Sequence, residues 1–233
     1  MSRESLRSEF MALVGSGAVP LKVEVTLSGS AKSIPWGMEL YEAASSLLSK
    51  AGVSLDDPEN PHSADSLALI SGERGFTLRY SSISPKLESL PALHELFGEV
   101  LKVGETELRV ESVSGRLIDP ASLPRASKVR LRLATPLLLE SPRGLPPISC
   151  VLESAAELWE RHVGIRLSVP AKVVVRSMKL RAVRGWWGVG YVGSALLEQR
   201  SGDSLGAVAT AASISGAGRW RLLGFGAVET EVL

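Results

Sequence analysis

Residues 213–233 read SISGAGRWRLLGFGAVETEVL. Two Gly-x-Gly pairs, Gly216/Gly218 and Gly224/Gly226, bracket Arg219, Trp220 and Arg221. Upstream, SLGAVATAASIS (204–215) reads as a small-residue helix, and downstream GFGAVETEV (224–232) reads as a strand. The glycines therefore follow a helix and precede a strand. A dinucleotide fingerprint needs the reverse order, and a P-loop needs Gly-Lys-Ser/Thr, which this loop lacks. Two readings remain. The bare amides, with Arg219, Arg221 and the Trp220 face, form a cradle for a phosphate chain. Alternatively, the glycines cap a helix and open a bulged strand.

The same half continues outward in a regular order. KVRLRLATPLLLE (128–140) is a strand pattern, and ISCVLESAAELWERHVG (148–164) an amphipathic helix. Val151, Leu152, Ala155, Leu158 and Trp159 share one side of that helix, and Gly164 closes it. AKVVVRSMKLRAV (171–183) and GWWGVGYVGSALLE (185–198) are two long strands, with the turn expected around Arg184-Gly185. With the final helix and strand, the order is βαββαβ, a ferredoxin-like unit.

The first half repeats it. LKVEVTLS (21–28) alternates as a strand, and MELYEAASSLLSKAG (38–52) places Leu40, Ala43, Ala44, Leu47 and Leu48 at helical spacing before Gly52. SLALISG (66–72) and GFTLRYSSI (75–83) form a hairpin across Glu73 and Arg74. LPALHELFGEVL (90–101) fits a short helix, and ETELRVESVSG (105–115) a further strand. The expected fold class is α+β: tandem ferredoxin-like domains with antiparallel sheets. An extension over 1–18, a first domain over 19–124 and a second over 125–233 follow, with the linker in RLIDPASLPRAS (116–127).

Bulk composition leaves the partner to local features. The 233 residues carry a net charge of +1, 45% hydrophobic and 22% charged residues, which suits a globular core but makes no whole-protein case for a polyanion. Cys150 is the only cysteine, which excludes a disulfide framework within one chain and fits a reducing, cytoplasmic setting. No stretch approaches the roughly 18 apolar residues of a membrane span. The opening MSRESLRSEFMALVGSGAVPL is faintly like a signal peptide; a frayed extension, or a start at Met11, is the preferred reading because the run leads straight into the first strand. Local charge is concentrated in KVVVRSMKLRAVR (172–184), which has five basic residues and no acid. Strict alternation would put Lys179 and Arg181 on one face and Arg176 and Arg184 on the other. Such a hairpin could grip a duplex stem or lie in a groove, or be a solvated edge that resists aggregation. Trp186 and Trp187 cannot both face one core, so one is expected outside.

The glycine stretch GAGRWRLLGFGAVE resembles the C-terminal motif of the RAMP superfamily, in particular the CRISPR endoribonucleases that process precursor repeat transcripts. RLRLATPLLL, IPWGMELYEAASSLL and GFTLRYSSIS are similar to further segments of that family, so the likeness covers roughly residues 20–233. The resemblance implies binding of CRISPR repeat RNA through Arg176, Lys179, Arg181, Arg184, Gly216, Gly218, Arg219, Arg221, Gly224 and Gly226. It also implies cleavage without a metal or cofactor, by attack of a ribose 2′-hydroxyl on the adjacent phosphate to leave a 2′,3′-cyclic phosphate. A CRISPR effector complex and a homodimer are the further partners this reading admits; a membrane is not. The chain departs from the pattern in one place: SLALISGERGF has no histidine near Ile70, where the family histidine is expected. His62, Arg74 and Arg79 are the candidates to supply the catalytic groups. His94, on an apolar helix face, reads as partly buried, and His162 as a helix C-terminal contact. A non-catalytic RNA-binding subunit is the alternative, and a tandem ferredoxin-like binding protein without RNA is a third reading favoured by the near-neutral charge.

Overall fold

The computed structural model describes residues 19–31, 36–72, 75–85, 92–138 and 148–233. The expected extension over 1–18 and the candidate Arg74 lie outside the described residues. The first half contains β1 (Leu21–Ser28), α1 (Met38–Ser49), β2 (Asp65–Gly72), β3 (Gly75–Ser82), β4 (Val100–Val103) and β5 (Thr106–Leu117). These strands form one antiparallel sheet in the order β2-β3-β1-β5-β4. Alternation in β1 turns Leu21, Val23, Val25 and Leu27 inward, where Leu40, Ala44, Leu47 and Leu48 of α1 cover them. Gly52, at φ 74, takes the chain out of the helix region.

The short helix expected over 90–101 is not formed in its described part. A single 3₁₀ turn, Leu93–Leu96, stands there, and Val100 already opens β4. Gly98 at φ 79 breaks the helical path after one turn, and Leu96, with Leu93 packed beside it, anchors that turn in the core. His94 is consequently exposed rather than partly buried.

The second half follows the expected order: β6 (Lys128–Leu137), α2 (Ile148–Val163), β7 (Val173–Gly185), β8 (Gly188–Gln199), α3 (Leu205–Ser215) and β9 (Val228–Val232). Its antiparallel sheet runs β7-β8-β6-β9. Val129, Leu131 and Leu133 pack with Val151, Leu152, Ala155, Leu158 and Trp159 of α2 and with Val208, Ala209, Ala211 and Ala212 of α3. This is a complete ferredoxin-like unit. In the first unit the 3₁₀ turn and the β4 strand occupy the place of the second helix.

Two details of the β7–β8 hairpin differ from simple alternation. Its turn is Trp186-Trp187, not Arg184-Gly185, because Gly185 still pairs with Gly188. A bulge between Val175 and Ser177 leaves Arg176 as an extra residue and resets the parity. Beyond the bulge, Lys179 pairs with Ser194 and that residue with Arg132. Arg176 reaches Glu198, which pairs with Lys128. Arg176, Lys179 and Arg181 therefore share the sheet face away from the helices, and Arg184 alone lies on the other.

The halves interlock. Ala64 and Ile83 of the first half pack into the second core, and Leu222 of the glycine loop packs into the first. Ala68, Ile70, Ala134 and Ala227 make a seam of mostly small side chains between β2 and the β6–β9 edge.

Candidate nucleic-acid interface

The glycine loop joins α3 to β9, and most of it faces inward. Gly216, Gly224 and Gly226 are buried, as are Ala217, Leu222, Leu223 and Phe225. A Cβ on Gly226 would overlap the Ala217 carbonyl oxygen, and one on Gly218 the Leu138 carbonyl oxygen; both residues have left-handed φ, 68 and 76. The glycine requirement is thus met by main chain packed against main chain inside the protein. This corrects the expectation that Gly216, Gly224 and Gly226 offer open amides to a ligand. The loop's outer side is formed by Gly218, Arg219 and Trp220, which are partly or fully exposed.

Arg221 is likewise turned inward, against the expectation that it flanks the cradle. Only 4% of it is exposed. Its Nη1 donates to the Ser215 carbonyl at 2.7 Å, and its Nη2 to the carbonyls of Ser63 (2.7 Å) and Pro61 (3.2 Å). Burial lowers its pKa to about 10, with the charges of Asp65 and Asp56 acting the other way, so it stays cationic at neutral pH. Those carboxylates belong to a buried network that periodicity in the sequence does not reveal. Tyr80 Oη donates to Asp65 Oδ1 (3.2 Å), the Asp56 amide donates to Asp65 Oδ2 (2.9 Å), and Ser63 Oγ donates to Asp56 Oδ2 (3.0 Å). Burial pushes the Asp65 carboxyl up to about 6, and the neighbouring Asp56 charge adds to this against hydrogen bonds from Ser82, the Asp56 amide and Tyr80.

The network fixes the loop that carries His62. Arg221 holds the carbonyls on both sides of that residue, and His162 Nε2–H donates to the His62 carbonyl itself at 2.7 Å. His162, expected as a helix-dipole contact, is a tie between α2 and the first half. His62 is exposed on this clamped loop. Arg79 is not available as expected: Glu24 at 3.1 Å and Glu229 at 3.2 Å both engage its guanidinium, whose side chain is 12% exposed.

At the other end of the loop stands an aromatic cluster. Trp187 meets Trp36 edge-on at 5.0 Å and Phe225 at 5.2 Å, while Gly37 N donates to the Leu223 carbonyl at 2.9 Å. Trp186 is 70% exposed. Cationic groups surround the cluster and continue along β7: Arg219, Arg184, Arg181, Lys179 and Arg176 are all exposed. Acids temper part of this field. Glu198 pairs with Arg176 at 2.7 Å, Glu229 with Arg132 at 2.9 Å, and Glu231 with Arg130. No ion pair of Lys179, Arg181, Arg184 or Arg219 with a carboxylate is found among the described residues. No cluster of three metal-ligating side chains occurs there either, and no described helix is long and apolar enough to cross a membrane.

The tandem arrangement of two antiparallel sheets is the fold of solved structures titled as Cas6 and RAMP proteins. Residues 131–228 match the family model described as CRISPR-associated endoribonuclease Cas6, so the resemblance carried by the glycine motif is established over that segment. Among solved structures, the product complex of the Thermus thermophilus Cas6 TTHB231 superposes with a TM-score of 0.68 at 20% identity, covering 92% of this chain and 100% of that one. The product complex of Cas6 TTHA0078 gives 0.69 at 22% identity, covering 91% and 99%. Its substrate-mimic complex gives 0.67 at 22% identity, covering 92% and 100%. No curated protein sequence matches the chain.

Proposed function

We propose that this protein binds CRISPR repeat RNA in precursor transcripts and cleaves it to guide-length products without a metal ion. The observation that carries the reading is the Cas6-family match over 131–228, the part that holds the basic hairpin and the glycine loop. The exposed cations of β7 and Arg219 suit a phosphate backbone, and the solved structures similar to this one include product and substrate-mimic complexes of Cas6 proteins.

In the proposed reaction the ribose 2′-oxygen forms a bond to the adjacent phosphorus, and the bond from phosphorus to the 5′-oxygen breaks. A base takes the 2′-hydroxyl proton and an acid returns one to the leaving oxygen, giving a 2′,3′-cyclic phosphate and a 5′-hydroxyl. His62 is the proposed proton carrier, because its loop is held rigidly by Arg221 and His162. Alignment of the 2′-oxygen with the leaving group supplies much of the acceleration in such a site. One observation favours a second reading, a non-cleaving RNA-binding subunit: the guanidinium of Arg79 is occupied by two carboxylates and does not offer a free cation. Incubating the protein with a labelled repeat transcript in excess chelator separates the two. A single cut with a cyclic-phosphate end supports the nuclease; a shifted but intact band supports the subunit.

A further inference from the structure

The two-residue turn Trp186-Trp187 turns one indole inward and leaves the other largely in solvent. Trp187 goes inward to Trp36 and Phe225. Trp186 stays 70% exposed, forgoing the stabilisation that burial of so large an apolar ring would give. A lone exposed indole would mean little. This one has fixed neighbours on three sides. Trp187 meets it edge-on at 5.7 Å and 79°. Gly37 lies beneath it, so close that a Cβ there would sit 2.9 Å from Trp186 Cζ2. Trp220, from the glycine loop, lies near-parallel to it at 6.2 Å and 24°.

Trp220 is brought there at a cost. It is the only non-glycine residue with positive φ, 56, among the described residues, a conformation that a bulky side chain adopts only when its surroundings hold it. Arg219 places its guanidinium 5.5 Å from the Trp220 ring centroid. Three segments far apart in sequence, the entry to α1, the tip of β7–β8 and the glycine loop, thus hold two flat rings and one cation at the end of the basic strand.

We infer that Trp186 and Trp220, with Arg219, form a stacking site for one unpaired purine base of a bound RNA strand. The inference rests on the RNA-binding reading above and adds a named base-binding site to it. A base offers its face to the exposed indole, and the adjacent phosphate meets Arg219 and Arg184. A purine covers more of an indole than a pyrimidine does. Stacking of this kind is indifferent to hydrogen-bonding edges, so the site holds and orients a nucleotide without reading its sequence.

Two decamers of equal length and charge test it on the full chain: oligoadenylate and an abasic ribose-phosphate strand, titrated at low salt by fluorescence anisotropy. The site predicts that oligoadenylate binds about five- to a hundredfold tighter than the abasic strand. Trp186→Ala and Trp220→Ala each remove that preference and leave abasic binding unchanged, while Trp186→Tyr keeps most of it. Should Trp220→Ala lower the unfolding temperature, Trp186→Ala at the exposed tip still decides. Equal binding of the two strands by the native protein, or a preference that survives Trp186→Ala, rejects the stacking site and leaves RNA binding standing. No binding of either strand removes both.

Discussion

Arg221 Nη2 donates to the Ser63 carbonyl at 2.7 Å, across 158 residues of chain. The guanidinium also takes the carbonyls of Pro61 and Ser215, and lies near the carboxylates of Asp65 and Asp56. One planar fork therefore joins the glycine loop, the end of α3 and the loop before β2. Arg221→Ala leaves three carbonyls without this donor and removes a cation from beside the buried Asp65 and the half-buried Asp56. It is expected to lower unfolding free energy by about 3 kcal/mol in denaturant titrations. Arg221→Lys recovers only part of that, since an ammonium cannot span the fork. Arg219→Ala, at an exposed position, leaves stability within about 0.5 kcal/mol.

Gly226→Ala probes the loop's packing directly. The added Cβ overlaps the Ala217 carbonyl, at a φ of 68 that alanine disfavours. A loss of about 2 kcal/mol or more in the same titration is expected. An open ligand cradle would instead leave stability nearly unchanged and weaken RNA binding alone.

These two positions mark where sequence reading stops. Strand β1 and the helices α1 and α2 were legible because each buries one face, which writes a period of two or of 3.6 into the chain, whereas α3, buried on most sides, shows only as a run of small residues. Gly52 and Gly164 marked helix ends correctly for the same local reason. The inward turn of Arg221 has no such signature, because its partners come from a loop near residue 62. Arg79 is the same case: its carboxylates stand 55 and 150 residues away. The bulge at Arg176 reversed an assignment that strict alternation required, and only the pairing of β7 with β8 reveals it.

Asp65 makes stability depend on pH. Its folded pKa, about 6, lies above the ordinary 3.8, so the folded state keeps a proton that the unfolded chain releases. The stabilisation is fully present below about pH 4 and is lost as pH rises through about 6, on the order of 3 kcal/mol in all. Asp65→Asn removes this slope. Denaturant midpoints of the two proteins, measured from pH 4 to pH 7.5, should converge in slope only outside that window.

Lys179 and Arg181 share the exposed face of β7, whereas Arg176 is already held by Glu198 at 2.7 Å. The double variant Lys179→Ala/Arg181→Ala should therefore flatten the plot of log affinity for RNA against log salt by about 1.4. Arg176→Ala should change it by less than half as much. Equal effects would place the backbone contacts elsewhere.

In the proposed reaction a ribose hydroxyl of the repeat transcript is the nucleophile. The direct measurement compares two transcripts in excess chelator, differing only in a 2′-deoxyribose at the nucleotide before the cut. Equal binding of both is expected, with a single cut leaving a cyclic-phosphate end in the ribose form and no cut in the deoxy form. Cleavage of the deoxy transcript, or a ribose transcript bound and left intact, would contradict it.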